Sequence, residues 1–227
     1  MITFNGISSD SKRVIVERIP NRHTPARRFK PQSVAGKNGD VLLVDKSFPN
    51  VEQEYEVYLS AEAVGLPSIA RGAAEWLCAP VDYAELTDDY DSTVYREAYL
   101  SQGFDIENAL NKFGRCTISF SCKPQKYLLT GTSAVTVADG DTITNPTPFE
   151  ARPLITVSGV GTLTINGYEI EILESVSNFL INCETQEAAD NSKIYCLDFP
   201  VLSGGANTIE ADSGITSISI VPRWWTL

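Results

Sequence analysis

The sequence predicts a mainly β protein of two domains with one α-helix. Three observations lead there. Apolar and polar residues alternate in short runs punctuated by Gly, Asn, Asp and Pro, as half-buried antiparallel strands require. Only Leu66 to Cys78 carries helical spacing. Beyond a joint at 123–133 the helix signal ends and β runs alone follow, which divides the chain into 1–126 and 127–227.

The chain supports this element by element. Met1 to Asn5 reads as a strand closed by Asn5-Gly6, and Val14-Ile15-Val16 as a second strand. Pro20 to Pro31, PNRHTPARRFKP, is basic and proline-broken, so it is expected to be an extended arm outside the core. Asn38-Gly39 precedes a β run to Val44, and Tyr55 to Leu59 alternates as another strand. In the helix, Pro67 suits the first turn, Ile69, Ala73, Trp76 and Leu77 form one stripe, and Pro80 ends it. Leu86 to Asp91 reads as an acidic turn; Arg96 to Ser101 and Gly114 to Ser121 read as strands. In the second half, runs are expected at 134–137, 154–157, 163–172, 179–183, 194–197, 208–211 and 215–221. The sharpest expectation is at Asn166-Gly167, a two-residue type I′ hairpin turn. It pairs Ile165 with Tyr168, Thr164 with Glu169, Leu163 with Ile170 and Thr162 with Glu171, and sets the apolar members on one face. Whether the final strand, Ile215 to Trp224, pairs in the second domain or returns to the first stays open.

Composition excludes several roles. With 227 residues and 43% apolar content the chain can fill proper cores. The opening MITFNG has no basic, apolar leader, so folding in the cytoplasm is expected. A net charge of −11 argues against nucleic-acid binding, and no membrane span is present in the sequence. Five cysteines without a CxxC pair read as buried reduced thiols. The one histidine, His23, has no neighbouring nucleophile in the sequence, so no catalytic triad can be built. Asp88, Asp89 and Asp91 lack the pattern of a calcium loop, and Asp139-Gly140-Asp141 reads as a turn. The glycines of 158–161 and 203–205 lie between strands with no helix after them, so no phosphate cradle is expected. No catalytic, cofactor or metal residue is assigned. Of Trp224 and Trp225, one is expected to pack inward while the other covers a second surface.

Ordered motifs run nearly end to end: Ile2-Thr3-Phe4-Asn5-Gly6, Gly36-Lys37-Asn38-Gly39, Trp76-Leu77, Phe120-Ser121-Cys122-Lys123-Pro124, Asn145-Pro146-Thr147, Pro153 to Gly159, Thr164-Ile165-Asn166-Gly167, Phe199-Pro200, Gly205-Ala206-Asn207-Thr208-Ile209 and Val221-Pro222-Arg223-Trp224. In these motifs the chain resembles the distal tail protein (Dit) family of long-tailed siphophages. It departs at Val34-Ala35, where Ile-Pro is usual, and at Trp225, where a basic or polar residue is common. The resemblance implies an N-terminal β-rich, ring-forming domain and a C-terminal galectin-like β-sandwich. It further implies a hexameric ring at the distal end of the virion tail, made in the host cytoplasm. Its partners would be the tail tube protein, the tip or tail-associated lysin protein and, in many phages, the receptor-binding protein.

A cyclic ring needs unlike edges. The first half is bipolar: Lys and Arg dominate 12–37, and Asp and Glu dominate 38–108. The basic arm, with Arg18, Arg22, Arg27, Arg28 and Lys30, is therefore expected to dock on acidic residues of the next subunit between Asp40 and Glu107. Contact with an acidic tip partner and plain solvation remain open for the same residues. Two rival functions also stand: a lectin-like module that binds host polysaccharide, and a glycan-cleaving enzyme.

Overall fold

The computed structural model describes residues 1–45, 47–61, 65–109 and 113–227. Lys46, one of the cations in the acidic stretch, lies outside them. The chain forms two compact units, Met1–Lys126 with Leu227, and Tyr127–Thr226.

The first unit contains β1 (Ile2–Phe4), β2 (Ile7–Ser8), β3 (Val14–Val16), β4 (Phe29–Gln32), β5 (Val41–Val44), β6 (Val51–Ser60), α1 (Leu66–Cys78), β7 (Ala84–Asp88), β8 (Val94–Leu100), β9 (Glu107–Ala109) and most of β10 (Phe113–Leu128). The main sheet runs β2-β1-β7-β8-β10-β6-β3. Its alternation buries Ile2, Phe4, Tyr55, Val57, Leu59, Leu86, Ile118 and Phe120 on one face. The helix packs on that core through Leu66, Ala73, Trp76 and Leu77, with Ile69 at its margin. Trp76 is seated by geometry as well as area, since its Nε1–H donates to Phe4 O at 3.0 Å. Phe4 and Phe120 stack tilted, with centroids 4.9 Å apart.

The second unit holds β11 (Val135–Val137), β12 (Thr142–Asn145), β13 (Leu154–Ile165), β14 (Tyr168–Asn182), β15 (Glu187–Ala188), β16 (Ile194–Tyr195), β17 (Gly205–Ala211), β18 (Ile215–Val221) and β19 (Trp225–Thr226). β18 pairs with β11 and β13, β13 with β14 and β17, and β17 with β12, all antiparallel. The result is a curled β-sandwich around Ile155, Val157, Leu163, Ile165, Ile170, Ile181, Leu202, Ile209 and Ile220. The Asn166-Gly167 hairpin has the expected register at all four pairs. Asn166 has φ 52° and Gly167 φ 81°, as a type I′ turn demands.

Several expectations are corrected. Leu86 to Asp88 belongs to β7, not to a turn, because Leu86 points into the core. The joint at 123–133 is not loop at its start: β10 continues to Leu128 before a short 3-10 turn. Residues 158–161 do not separate two strands; they lie inside β13 at its bulges. Glycine is required there, since a Cβ on Gly159 would meet Gly214 O at 2.2 Å. The arm also ends in a strand, for Phe29–Gln32 forms β4 and pairs with β5. The cysteines are all free, but Cys78 is exposed because it lies at the helix end away from the apolar stripe.

The buried polar groups of the second unit are fully used. Asn207 Nδ2 donates to Ile143 O (3.1 Å), Ser203 O (3.0 Å) and Gly205 O (2.8 Å), and its Oδ1 accepts from Asn166 Nδ2 (2.6 Å). Asn145 Nδ2 donates to Phe149 O (2.8 Å) and Leu202 O (3.1 Å), while its Oδ1 accepts from the Thr147 N–H at 2.9 Å. Replacing Asn207 by Ala strands these carbonyls in the interior. Asn207→Ala should lower stability by about 1–3 kcal/mol, read as a lower urea midpoint at unchanged slope.

Candidate functional site

The arm is the one sequence-designated surface. It leaves β3 and crosses its own sheet through side-chain and backbone contacts. Arg18 forms an ion pair with Glu56 on β6. Asn21 O accepts from Gln53 Nε2 at 3.2 Å, and Arg22 Nη2 donates to Tyr90 O at 3.1 Å. The Arg27 guanidinium lies 4.7 Å from the centroid of the Phe48 ring. The Arg28 N–H donates to Ser47 O at 3.1 Å. Lys30 sits in β4 opposite Leu43.

The five designated residues therefore divide. Arg18, Arg22 and Arg27 spend at least part of their capacity within their own subunit. Arg28 and Lys30 are exposed, and their side chains have no ion-pair partner among the described residues. Exposed pairs such as Arg18–Glu56 contribute only about 0–1 kcal/mol, so they orient the arm more than they hold it.

Sequence reasoning found the β run that forms β5 but read the arm to Pro31 as extended loop, and so missed β4 and the ribbon the two strands make. The β4–β5 register, Phe29 with Val44 and Pro31 with Leu42, places these four residues on one face. Phe29 is 49% exposed, Leu42 54% and Val44 53%. Its signal was in the sequence: alternation in Phe29–Gln32 was hidden by Pro31, and Val41–Val44 reads as a continuous apolar run.

Beneath the arm lies a buried polar network. Asp88 Oδ2 accepts from Tyr55 Oη–H at 2.8 Å, and its Oδ1 accepts from the N–H groups of Tyr90 and Asp91 at 2.9 Å each. Arg96 Nη1 stands 3.6 Å from Asp88 Oδ2 and 3.4 Å from Gln53 Oε1. Burial, then Asp88, push the Tyr55 phenol well above its ordinary range, so it stays a donor. Beside this network a small cavity is lined by His23, Pro25, Gln53, Arg96, Cys122 and Lys126, among others.

The remaining chemical candidates are accounted for structurally. Asp91 accepts from Thr93 Oγ1–H at 3.0 Å, and Asp88 is occupied as above. Asp141 accepts from the Ala138 N–H and Asp139 from the Ala211 N–H, which makes Asp139-Gly140-Asp141 a turn. Trp224 is buried; Trp225 stacks on Phe149 at 4.3 Å and donates from Nε1 to Glu150 O at 2.8 Å. Among the described residues no group of three His, Cys, Asp or Glu could hold a metal ion, and no helix is long and apolar enough to cross a membrane. Burial pushes the thiols of Cys122 and Cys183 up to about 12 and that of Cys116 up to about 11, the opposite of an activated nucleophile.

Neither a family model nor a curated protein sequence matches the chain. Solved structures do. The crystal structure of the Dit protein (gp 19.1) of phage SPP1, described as a paradigm of the hub adsorption apparatus in phages that infect Gram-positive hosts, matches with a TM-score of 0.75 and 13% identity. The match covers 100% of this chain and 98% of that one. The phage P2 baseplate in its activated conformation with Ca contains a chain that matches with a TM-score of 0.50 and 10% identity, over 92% of this chain and 90% of that one. The protein therefore has the fold of a phage distal tail protein, as the sequence motifs suggested.

The thiol environments are open to direct measurement. At pH 8 a maleimide should modify Cys78 rapidly, whereas Cys122 and Cys183 should react only after denaturation, as peptide mass mapping over time would show.

Proposed function

We propose that the protein is the structural hub of a siphophage tail tip. In this reading it closes into a ring, hexameric by the resemblance, at the distal end of the tail. The ring joins the tail tube to the tip or tail-associated lysin protein and to the receptor-binding components. The observation that carries the proposal is the end-to-end match to SPP1 Dit, over 100% of this chain and 98% of that one. The work done is geometric, and no bond is made or broken.

The first unit supplies the materials for a head-to-tail contact. The exposed apolar face of the β4–β5 ribbon offers area, and Lys30 on the ribbon's other face, with Arg28 just before β4, offers charge. Burial of the apolar face against a second copy would hold the contact, while the cations would set its register against acids of the 40–107 stretch.

Negative-stain images and native mass measurement of the purified protein should show a closed ring. Reversing Arg28 and Lys30 to Glu should raise the concentration needed for closure and invert its response to salt. A ring indifferent to the reversal would remove the charged arm from the interface. A two-fold dimer as the terminal species would overturn the ring itself.

A further inference from the structure

In four places an Asn or Asp precedes a glycine: Asn5-Gly6, Asn38-Gly39, Asp139-Gly140 and Asn166-Gly167. Glycine has no Cβ, so its backbone nitrogen can come close enough to the preceding side-chain carbon to bond with it. That ring closes only if the chain can rotate about the ψ of the Asn or Asp and if the glycine N–H is not already donated. The fold grants these conditions unequally.

Asn166-Gly167 is held most tightly. It turns between strands in register, Asn166 has φ 52°, and its amide is bonded to Val201 O, Asn207 Oδ1 and the Thr208 N–H. Asn5-Gly6 is the two-residue turn between β1 and β2, with Asn5 at φ 51° and its N–H donated to Glu85 O at 2.9 Å. In Asp139-Gly140 the Gly140 N–H donates to Ile209 O at 2.9 Å, and Asp139 Oδ1 accepts from the Ala211 N–H at 2.9 Å. Asn38-Gly39 differs. It lies in the connection between β4 and β5, both residues are exposed, and a Cβ on Gly39 would meet nothing within 4 Å. Neither the Asn38 amide nor the Gly39 N–H has a hydrogen-bond partner among the described residues. Asn38 also stands outside the left-handed region that the two hairpin turns impose on Asn5 and Asn166.

We propose that Asn38 is a site of spontaneous deamidation. The Gly39 nitrogen loses its proton to hydroxide and bonds to Asn38 Cγ. The Cγ–Nδ2 bond breaks, and the amide nitrogen leaves as ammonia with a proton from water. The succinimide then takes up solvent water. Attack at Cγ restores the main chain as aspartate; attack at the main-chain carbonyl leaves isoaspartate, with the chain running through Cβ and Cγ. One water enters and one ammonia departs, so nothing is oxidised or reduced. Either product adds a carboxylate to the stretch 27–40, which holds Arg27, Arg28, Lys30 and Lys37 against Asp40, and cancels a third of its net positive charge. Isoaspartate also adds a methylene to the main chain that links β4 to β5. On the ring reading this takes charge away from the subunit contact; the chemistry itself does not depend on that reading.

The test is peptide mass mapping of folded protein aged in mildly alkaline buffer made with H₂¹⁸O. A succinimide hydrolysed there keeps a heavy oxygen, which separates it from deamidation during later digestion in ordinary water. The rate at each Asn-Gly pair is referred to its own rate in denaturant, where sequence alone acts. On that scale Asn38 should be converted roughly tenfold or more faster than Asn5 or Asn166, which must wait for a hairpin to open. Aspartate and isoaspartate should both appear at position 38, the second accepting a methyl group from protein isoaspartate methyltransferase. A more acidic band should accumulate on isoelectric focusing. Asn38→Gln keeps the amide but would have to close a larger, slower-forming ring, so it should lose that band and leave the other pairs unchanged. The proposal falls if folding slows Asn38 as much as it slows Asn5 and Asn166, or if Asn166 is converted first. It falls equally if the acidic band persists in Asn38→Gln. Since the readout is covalent, the outcome stands whether or not the ring closes.

Discussion

Asn207 has no exposed surface, and the whole capacity of its amide is spent on backbone and on one other amide. Through it the carbonyl of Ile143 on β12, the loop at Ser203 and Gly205, and the turn residue Asn166 meet at one point. Asn166 in turn donates to Val201 O and accepts from the Thr208 N–H. A hairpin that fixes its own register is thereby also fixed in position against β17. An interior amide with any partner missing costs more than a pair gains, so the arrangement is selective as well as stabilising. The rest of the sandwich closes around this constraint.

That network explains which parts of the fold were legible. The motifs at Asn145-Pro146-Thr147, Asn166-Gly167 and Gly205-Ala206-Asn207 are short and look like generic turns. In the structure they are the residues whose side chains replace missing backbone partners, which is why their order along the chain carried the fold. The helix and the Asn-Gly hairpin were readable because their signals are local: a 3.6-residue stripe and a turn that needs positive φ. The bulges of β13 were not. Gly159 and Gly161 look like loop punctuation until the close approach of Gly214 and Asp212 is seen. Nor could the cavity of Arg96 and Lys126 be read, since it joins residues distant in sequence through the pairing of β6, β8 and β10.

The first unit separates two electrostatic tasks. Asp88 organises a turn from the inside, using Tyr55 and backbone N–H groups, and leaves Arg96 loosely held. The arm's outer cations stay in solvent, where their interactions are weak one by one and sensitive to salt. Charge of the same sign thus sits differently at different depths: near the surface it stays in solvent, and in the wall of the cavity Arg96 is held by Asp88 and Gln53 of its own chain.

The β4–β5 ribbon is paired with no other strand among the described residues. Two strands alone are marginal in water, because the entropy lost on ordering them is barely matched by one row of hydrogen bonds and side chains. A segment of this kind gains its lasting order from whatever covers it. In the proposed ring, making the contact and fixing the ribbon would be one event. Closure would be steep in concentration, with few partial arcs, since each contact made also completes the partner that makes it.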